Sequence, residues 1–221
     1  MDIEEYRKQF IDELRFNAEH EGTEPETQFI EKYLSDLEEI GELNDPIPMS
    51  VEMRGSRNRL LAFDAYAYDE ADGALILIAS DFTNERDSTP TLTNSRIEDI
   101  YTHMLNFLDE CVQGNISKYC DDSDPALIIA NEFRKKIGKG LLSTEILRFK
   151  FFISSNATLS KQVKNLSKPE FLGRPVELNV WTLERFYQTF ASNSSEIIEI
   201  DTTDFGCDGI QCLKADIGVD S

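Results

Sequence analysis

Two apolar runs joined by a charged, glycine-ended turn constrain this chain more than any other feature. The first run is Arg59-Leu60-Leu61-Ala62-Phe63-Asp64-Ala65-Tyr66-Ala67-Tyr68, and the second is Ala74-Leu75-Ile76-Leu77-Ile78-Ala79-Ser80-Asp81-Phe82. Between them, Asp69-Glu70-Ala71-Asp72-Gly73 offers turn-forming side chains and a glycine able to take positive φ. A β-hairpin follows. Its second arm is apolar for six consecutive residues, Ala74 to Ala79, which predicts a central strand covered on both faces.

The flanking sequence supplies the cover. Ile3, Tyr6, Phe10, Leu14 and Ala18 recur at helical steps, predicting a helix over 3–21 that ends at Gly22. Thr23 and Glu26 have the form of a capping box, with Pro25 in the first turn, for a second helix through Phe29, Tyr33, Leu37 and Ile40. A short strand is predicted over 47–53 and a polar loop over 83–94. Ser95 and Glu98 suggest another capping box, with a helix running to Gly114. Asp124 before Pro125 marks the start of a helix that ends near Gly138. Residues 146–154 and 176–181 read as strands, 182–191 as a helix and 196–201 as a last strand. Strands that alternate with helices imply parallel pairing through crossovers, and the hairpin implies antiparallel pairing. The expected fold is therefore α/β, a mixed sheet flanked by helices. It is read as one domain over 1–221: a helical lead-in to residue 45, a core over 46–192, and from 193 the start of a further sheet or domain. The ending at Ser221 reads as a cut in a longer chain.

The composition, 40% hydrophobic and 29% charged, is that of a folded globular protein. No apolar run is long enough for a transmembrane helix, and the acidic start lacks a leader, so a cytoplasmic protein without a membrane partner is expected. Four cysteines, at 111, 120, 207 and 212, and two histidines, at 20 and 103, lack zinc-site spacing; free thiols and no metal are expected. His103 is read as a half-exposed surface residue and Trp181 as core. The formal charge is −20. It is unevenly spread. Residues 134–174 carry ten bases (Arg134, Lys135, Lys136, Lys139, Arg148, Lys150, Lys161, Lys164, Lys168, Arg174) against Glu145 and Glu170. Either this is a solvated face, or it is a contiguous positive surface for nucleic acid or an acidic partner. In the second case Arg148 and Lys150 point to one side of a strand, and Lys161, Lys164 and Lys168 form a helical stripe.

Side chains two apart on a strand share a face. With the turn centred between Ala71 and Asp72, Asp64 falls opposite Ala79, and Asp81 lies on the same face one step along. Glu13, on the stripe of the first helix, is a third candidate acid. Carboxylates at the edge of a buried sheet need water, hydrogen bonds or a cation. They are read either as strand-end acids or as a site. No phosphate-cradling glycine loop and no nucleophile–histidine pair is present in the sequence.

A helix, an acid-bearing strand pair, a helix and a further strand resemble the restriction-endonuclease-like core with additional β-α units. Its PD-(D/E)xK motif holds magnesium through acids and uses a lysine to assist the attacking water. Asp64 matches the first acid. Ala79-Ser80-Asp81 stands where (D/E)xK is required, so the second acid is alanine and the lysine is aspartate; Lys150 is the candidate for a migrated lysine. The segments Leu61–Glu70, Leu75–Phe82, Arg148–Ser154 and Pro175–Arg185 are similar to the opening region of abortive infection phage resistance proteins, over nearly the whole chain. That resemblance implies a role in bacterial defence and a missing C-terminal part as partner, with a homo-oligomer left open. The expected function is a non-catalytic nuclease-like module that binds a partner, nucleic acid or the rest of its own chain, with no cofactor. The alternative is a magnesium-dependent nuclease with a site migrated onto Glu13, Asp64, Asp81 and Lys150.

Overall fold

The computed structural model describes residues 2–138, 145–161 and 169–191. Helix α1 spans Ile3–Glu21, with the Asp2 side chain accepting from Glu5 N at its start and Gly22, at φ 69°, ending it. Helix α2 spans Pro25–Glu39. Then come β1 (Ile47–Arg54), β2 (Leu60–Asp69), β3 (Ala74–Asp81) and the short β4 (Thr91–Leu92). Helices α3 (Asn94–Gln113) and α4 (Pro125–Ile137) precede β5 (Arg148–Ser155), β6 (Thr158–Leu159), β7 (Glu170–Phe171), β8 (Arg174–Trp181) and the single-turn helix α5 (Leu183–Phe186).

The main sheet has the order β1-β2-β3-β5-β8-β7. Strands β1, β2 and β3 form an antiparallel meander, β3, β5 and β8 are parallel, and β7 returns antiparallel to β8. The sheet is mixed, as expected, and β3 lies inside it. The apolar run on β3 divides by parity. Leu75, Leu77 and Ala79 pack with Phe149, Phe151 and Ile153 beneath α3 and α4, around Phe107 and Phe133. Ile76 and Ile78 pack with Phe152, Trp181 and Phe186 beneath α2, around Tyr33 and Leu37. Alternating burial on two faces is why a continuous apolar run was needed. A third cluster joins Phe10, Leu14 and Phe29 to Phe82 and seats α1 at the end of β3.

Several local expectations are corrected. Neither capping box forms. The residue before α2 is Glu24, which makes no side-chain cap, and α3 is capped by Thr93, whose hydroxyl accepts from Arg96 N. Thr93 wins because the chain enters from β4 in extended form, which leaves its side chain nearest the free N–H groups. The helix expected over 182–191 is regular only over Leu183–Phe186 and continues as a wider turn to Ala191. Asp124 caps α4 as expected, accepting from Ala126 N. The strand expected at 196–201 and Cys207 and Cys212 lie outside the described residues. Cys111 and Cys120 are free thiols. No helix among the described residues is long and apolar enough to cross a membrane.

Candidate functional site

The β2–β3 register follows the turn centre read from the sequence: Ala65 pairs with Ile78 and Asp69 with Ala74. The expectation that Asp64 and Asp81 share a face nevertheless fails. Phe63 and Tyr66 both pack toward α3 and α4, whereas Ala65 packs toward α2, so the alternation slips by one residue beside Asp64. The neighbouring ladder is also irregular, its register shifting between Pro48 and Val51. One extra residue reverses every side chain beyond it. Asp64 therefore turns toward α2, where its Oδ2 accepts from Ser80 N at 2.6 Å and Ser80 Oγ at 2.8 Å. Asp81 lies on the other face. It accepts from Arg96 Nε of α3 at 2.8 Å and from Ser155 Oγ at 3.1 Å.

Each acid has its own environment. Burial raises the Asp64 pKa and the two Ser80 hydrogen bonds only partly offset it, with Glu52 adding repulsion. Glu13 is exposed on α1, where it acts on Tyr6 and Asp36. Among the described residues no group of three or more His, Cys, Asp or Glu side chains is placed to hold a metal ion. Glu13, Asp64 and Asp81 thus do not converge. Lys150 lies at the opposite end of the sheet, in register with Ile76, while Asp81 is in register with Ser155. Its ammonium is 2.9 Å from both Asp69 and Asp72. Burial alone would lower the Lys150 pKa, but the bonds to Asp72 and Asp69 raise it, so the side chain is a fixed cation of the hairpin turn.

The same turn absorbs much of the basic segment. Arg148 faces Asp72 at 3.7 Å and Lys136 faces Glu145 at 3.1 Å. Arg174 is buried and donates to Ile137 O at the end of α4, where a cation meets the negative end of the helix dipole. Among its described members, Lys136, Arg148, Lys150 and Arg174 are thus engaged within the fold. Arg134, Lys135 and Lys161 are exposed, while Lys139, Lys164 and Lys168 lie outside the described residues. Trp181 is core, as expected, with the Arg185 guanidinium 3.7 Å from its ring centre.

An acidic cleft of about 400 Å³ opens beside Asp64, lined by Glu24, Glu26, Glu31, Glu52 and Ser80. Burial raises the Glu26 pKa there, helped by the charges of Asp64, Glu52 and Asp81. Two features escaped the sequence reading. Glu110 is wholly buried on α3 and accepts from Ser56 N at 3.0 Å, Arg59 Nη2 at 2.9 Å and Asn115 Nδ2 at 2.8 Å. The Gly55–Arg59 loop that it grips holds Arg57 at φ 56° and Asn58 at φ 59°. The signal for the first was an acid three residues after Phe107 on an apolar stripe; for the second it was three arginines within Arg54-Gly55-Ser56-Arg57-Asn58-Arg59.

The fold and its sites define a mixed-sheet α/β domain whose strand-end acids are tied to neighbouring loops and helices. Residues 29–188 match the family model described as the abortive infection phage resistance protein N-terminal domain. The match spans well over half of the chain, which therefore belongs to that family. By its description this domain is the N-terminal one, with further protein following it in the family. No curated protein and no solved structure matches the chain.

Proposed function

We propose that the chain is a non-catalytic, nuclease-like binding module of a phage-defence protein, one that engages a partner, a nucleic acid or the remainder of its own polypeptide. The observation that carries this reading is the separate engagement of three of the four candidate catalytic groups, while the fourth, Glu13, stands exposed on α1. Asp64 is held by Ser80, Asp81 by Arg96 and Ser155, and Lys150 by Asp69 and Asp72. A hard cation for phosphodiester cleavage needs several oxygens at about 2.0–2.6 Å from one point. Acids on opposite faces of a sheet do not offer that, and no observation favours the magnesium-dependent nuclease. The family supports the defence role, and the description of its domain as N-terminal supports the idea of a partner within the same protein.

The test pairs two assays on the full-length protein. Plasmid or phage DNA is incubated with it in magnesium or manganese, beside an Asp64→Asn variant, and cells carrying each form are challenged with phage. The expected result is no cleavage that depends on Asp64 and equal protection by both forms. Cleavage that is lost with Asp64→Asn overturns the reading.

A further inference from the structure

The loop joining β1 to β2 combines backbone strain, rigidity and an unpaired cation. Arg57 and Asn58 are successive non-glycine residues in the left-handed region. Asparagine tolerates it, but arginine adopts it only where the surroundings enforce it. The enforcement is visible. Gly55 N donates to Arg59 O at 2.9 Å, Asn58 N to Gly55 O at 3.1 Å and Arg59 N to Ser56 O at 3.2 Å. Buried Glu110 grips Ser56 N and Arg59, and Ser56 Oγ shares a 2.7 Å hydrogen bond with Tyr119 OH. Gly55 fits closely, since a Cβ there would stand 2.9 Å from Leu61 Cδ1 and 3.2 Å from Glu110 Oε1. The loop is thus fixed from beneath.

What it holds up is Arg57. The side chain is exposed and makes no ion pair or side-chain hydrogen bond among the described residues, in a chain of formal charge −20. Arg54, three residues earlier, is also exposed and donates only to a carbonyl, Asn58 O at 3.3 Å, which leaves its charge without a carboxylate bond. Arg54 closes β1 opposite Leu60, at the end of the sheet where β3 finishes, and Arg57 follows three residues later in the same loop. Nothing in the packing uses the exposed guanidinium of Arg57, and strain of this kind gathers at functional positions.

We propose that the Arg54–Arg59 loop is a preorganised contact for the phosphodiester backbone of a nucleic acid, with Arg57 as its leading group and Arg54 beside it. A planar guanidinium fits a phosphate bidentately, and a backbone presents phosphates in series to match several arginines. The contact is independent of base identity. This rests on the reading of the chain as a binding module and names its surface. It moves that surface away from the basic segment 134–174, whose described bases are largely paired.

The test measures binding of a fluorescein-labelled 20-nucleotide single strand and its duplex to the full chain by anisotropy at several low salt concentrations. Arg57→Gln should weaken binding roughly tenfold and lower the salt slope by about one. Arg57→Gly should do the same while melting no lower than the parent, because glycine relieves the left-handed strain. Lys135→Gln, exposed elsewhere, should leave binding unchanged. No binding at any salt overturns the proposal, as does binding that Arg57→Gln leaves intact. Capture of a phosphoserine peptide without either oligonucleotide overturns it too. Failure here leaves the nuclease and phage assays as they stand, so a wrong surface and a wrong function are told apart.

Discussion

Glu110 is the residue on which the β1–β2 connection depends. Burial by itself would push its carboxyl up, but hydrogen bonds from Asn115, Ser56 and Arg59 outweigh that and bring it from 4.5 to about 2. The shift corresponds to stabilisation of roughly 3 kcal/mol at neutral pH. Because the folded value lies below the unfolded one, that contribution is complete above 4.5 and is lost as pH falls toward 2. Glu110→Ala should therefore cost about 3 kcal/mol in urea unfolding at pH 7, and the difference from the parent should shrink on acidification through that window. An equal deficit at pH 7 and pH 3 would show that packing, and not the charge, carries the effect. The Ser56 N–H left behind would be a half-buried donor without its acceptor, which sets the sign.

At the scale of elements, the hairpin and α1 show what the sequence made legible. The hairpin arms, the turn centre and the helices 3–21 and Asp124–Gly138 could be read because periodicity and turn chemistry are local. The slip beside Asp64 could not, since it arises where β1 and β2 lose register, a contact between strands. The pairing of Lys150 with Asp69 and Asp72 was hidden for the same reason, linking residues some 80 positions apart. Replacing Lys150 with Met should leave those two acids facing each other at the turn and cost roughly 1–2 kcal/mol, measured as a drop in urea midpoint with an unchanged slope. Helix α1, outside the family match, is tied to the loop after β3 by polar bonds. Arg86 makes three hydrogen bonds to Asp12, from Nε to both carboxylate oxygens at 2.8 and 3.0 Å and from Nη2 at 2.9 Å, while Arg15 donates to Asn84 and Arg7 donates to Arg86 O and Asn156 O. The Arg86–Asp12 pair is exposed at both ends, so it contributes little to global stability. Arg86→Ala should leave the urea midpoint almost unchanged, yet raise amide exchange over residues 84–88. Unchanged exchange there would mean that Arg7 and Arg15 hold the loop alone.

For the molecule as a whole, the excess of acid acts against the fold. A net charge of −20 repels itself more strongly in the compact state than in the unfolded chain. Salt screens that repulsion over about 10 Å at 0.1 M, so the melting temperature should rise as sodium chloride is added from a few millimolar. Protons should act in the same direction. Burial raises the pKa of Asp64, Asp36 and Glu26, with neighbouring acids adding to each shift. A carboxyl raised on folding binds its proton more tightly in the native state, so each of these three destabilises the fold as pH rises through its native value and the penalty is relieved below it. Hydrogen bonds from Arg86 and Lys150 pull Asp12 and Asp69 the other way, and with Glu110 these lose their contribution only below the ordinary carboxylate range. The two sets meet at the ordinary carboxylate pKa, where the penalty of the first has not begun and the contribution of the second is still complete. Stability measured across pH should accordingly peak in the ordinary carboxylate range, at about pH 4–4.5, and fall on both sides. Asp64→Asn keeps an oxygen for Ser80 and discards the titrating charge, so it should flatten the decline above the peak and leave the acid limb in place. A profile flat from pH 5 to 8 in the parent would mean that water reaches Asp64 through the Glu26–Glu52 cleft well enough to cancel the cost of its burial.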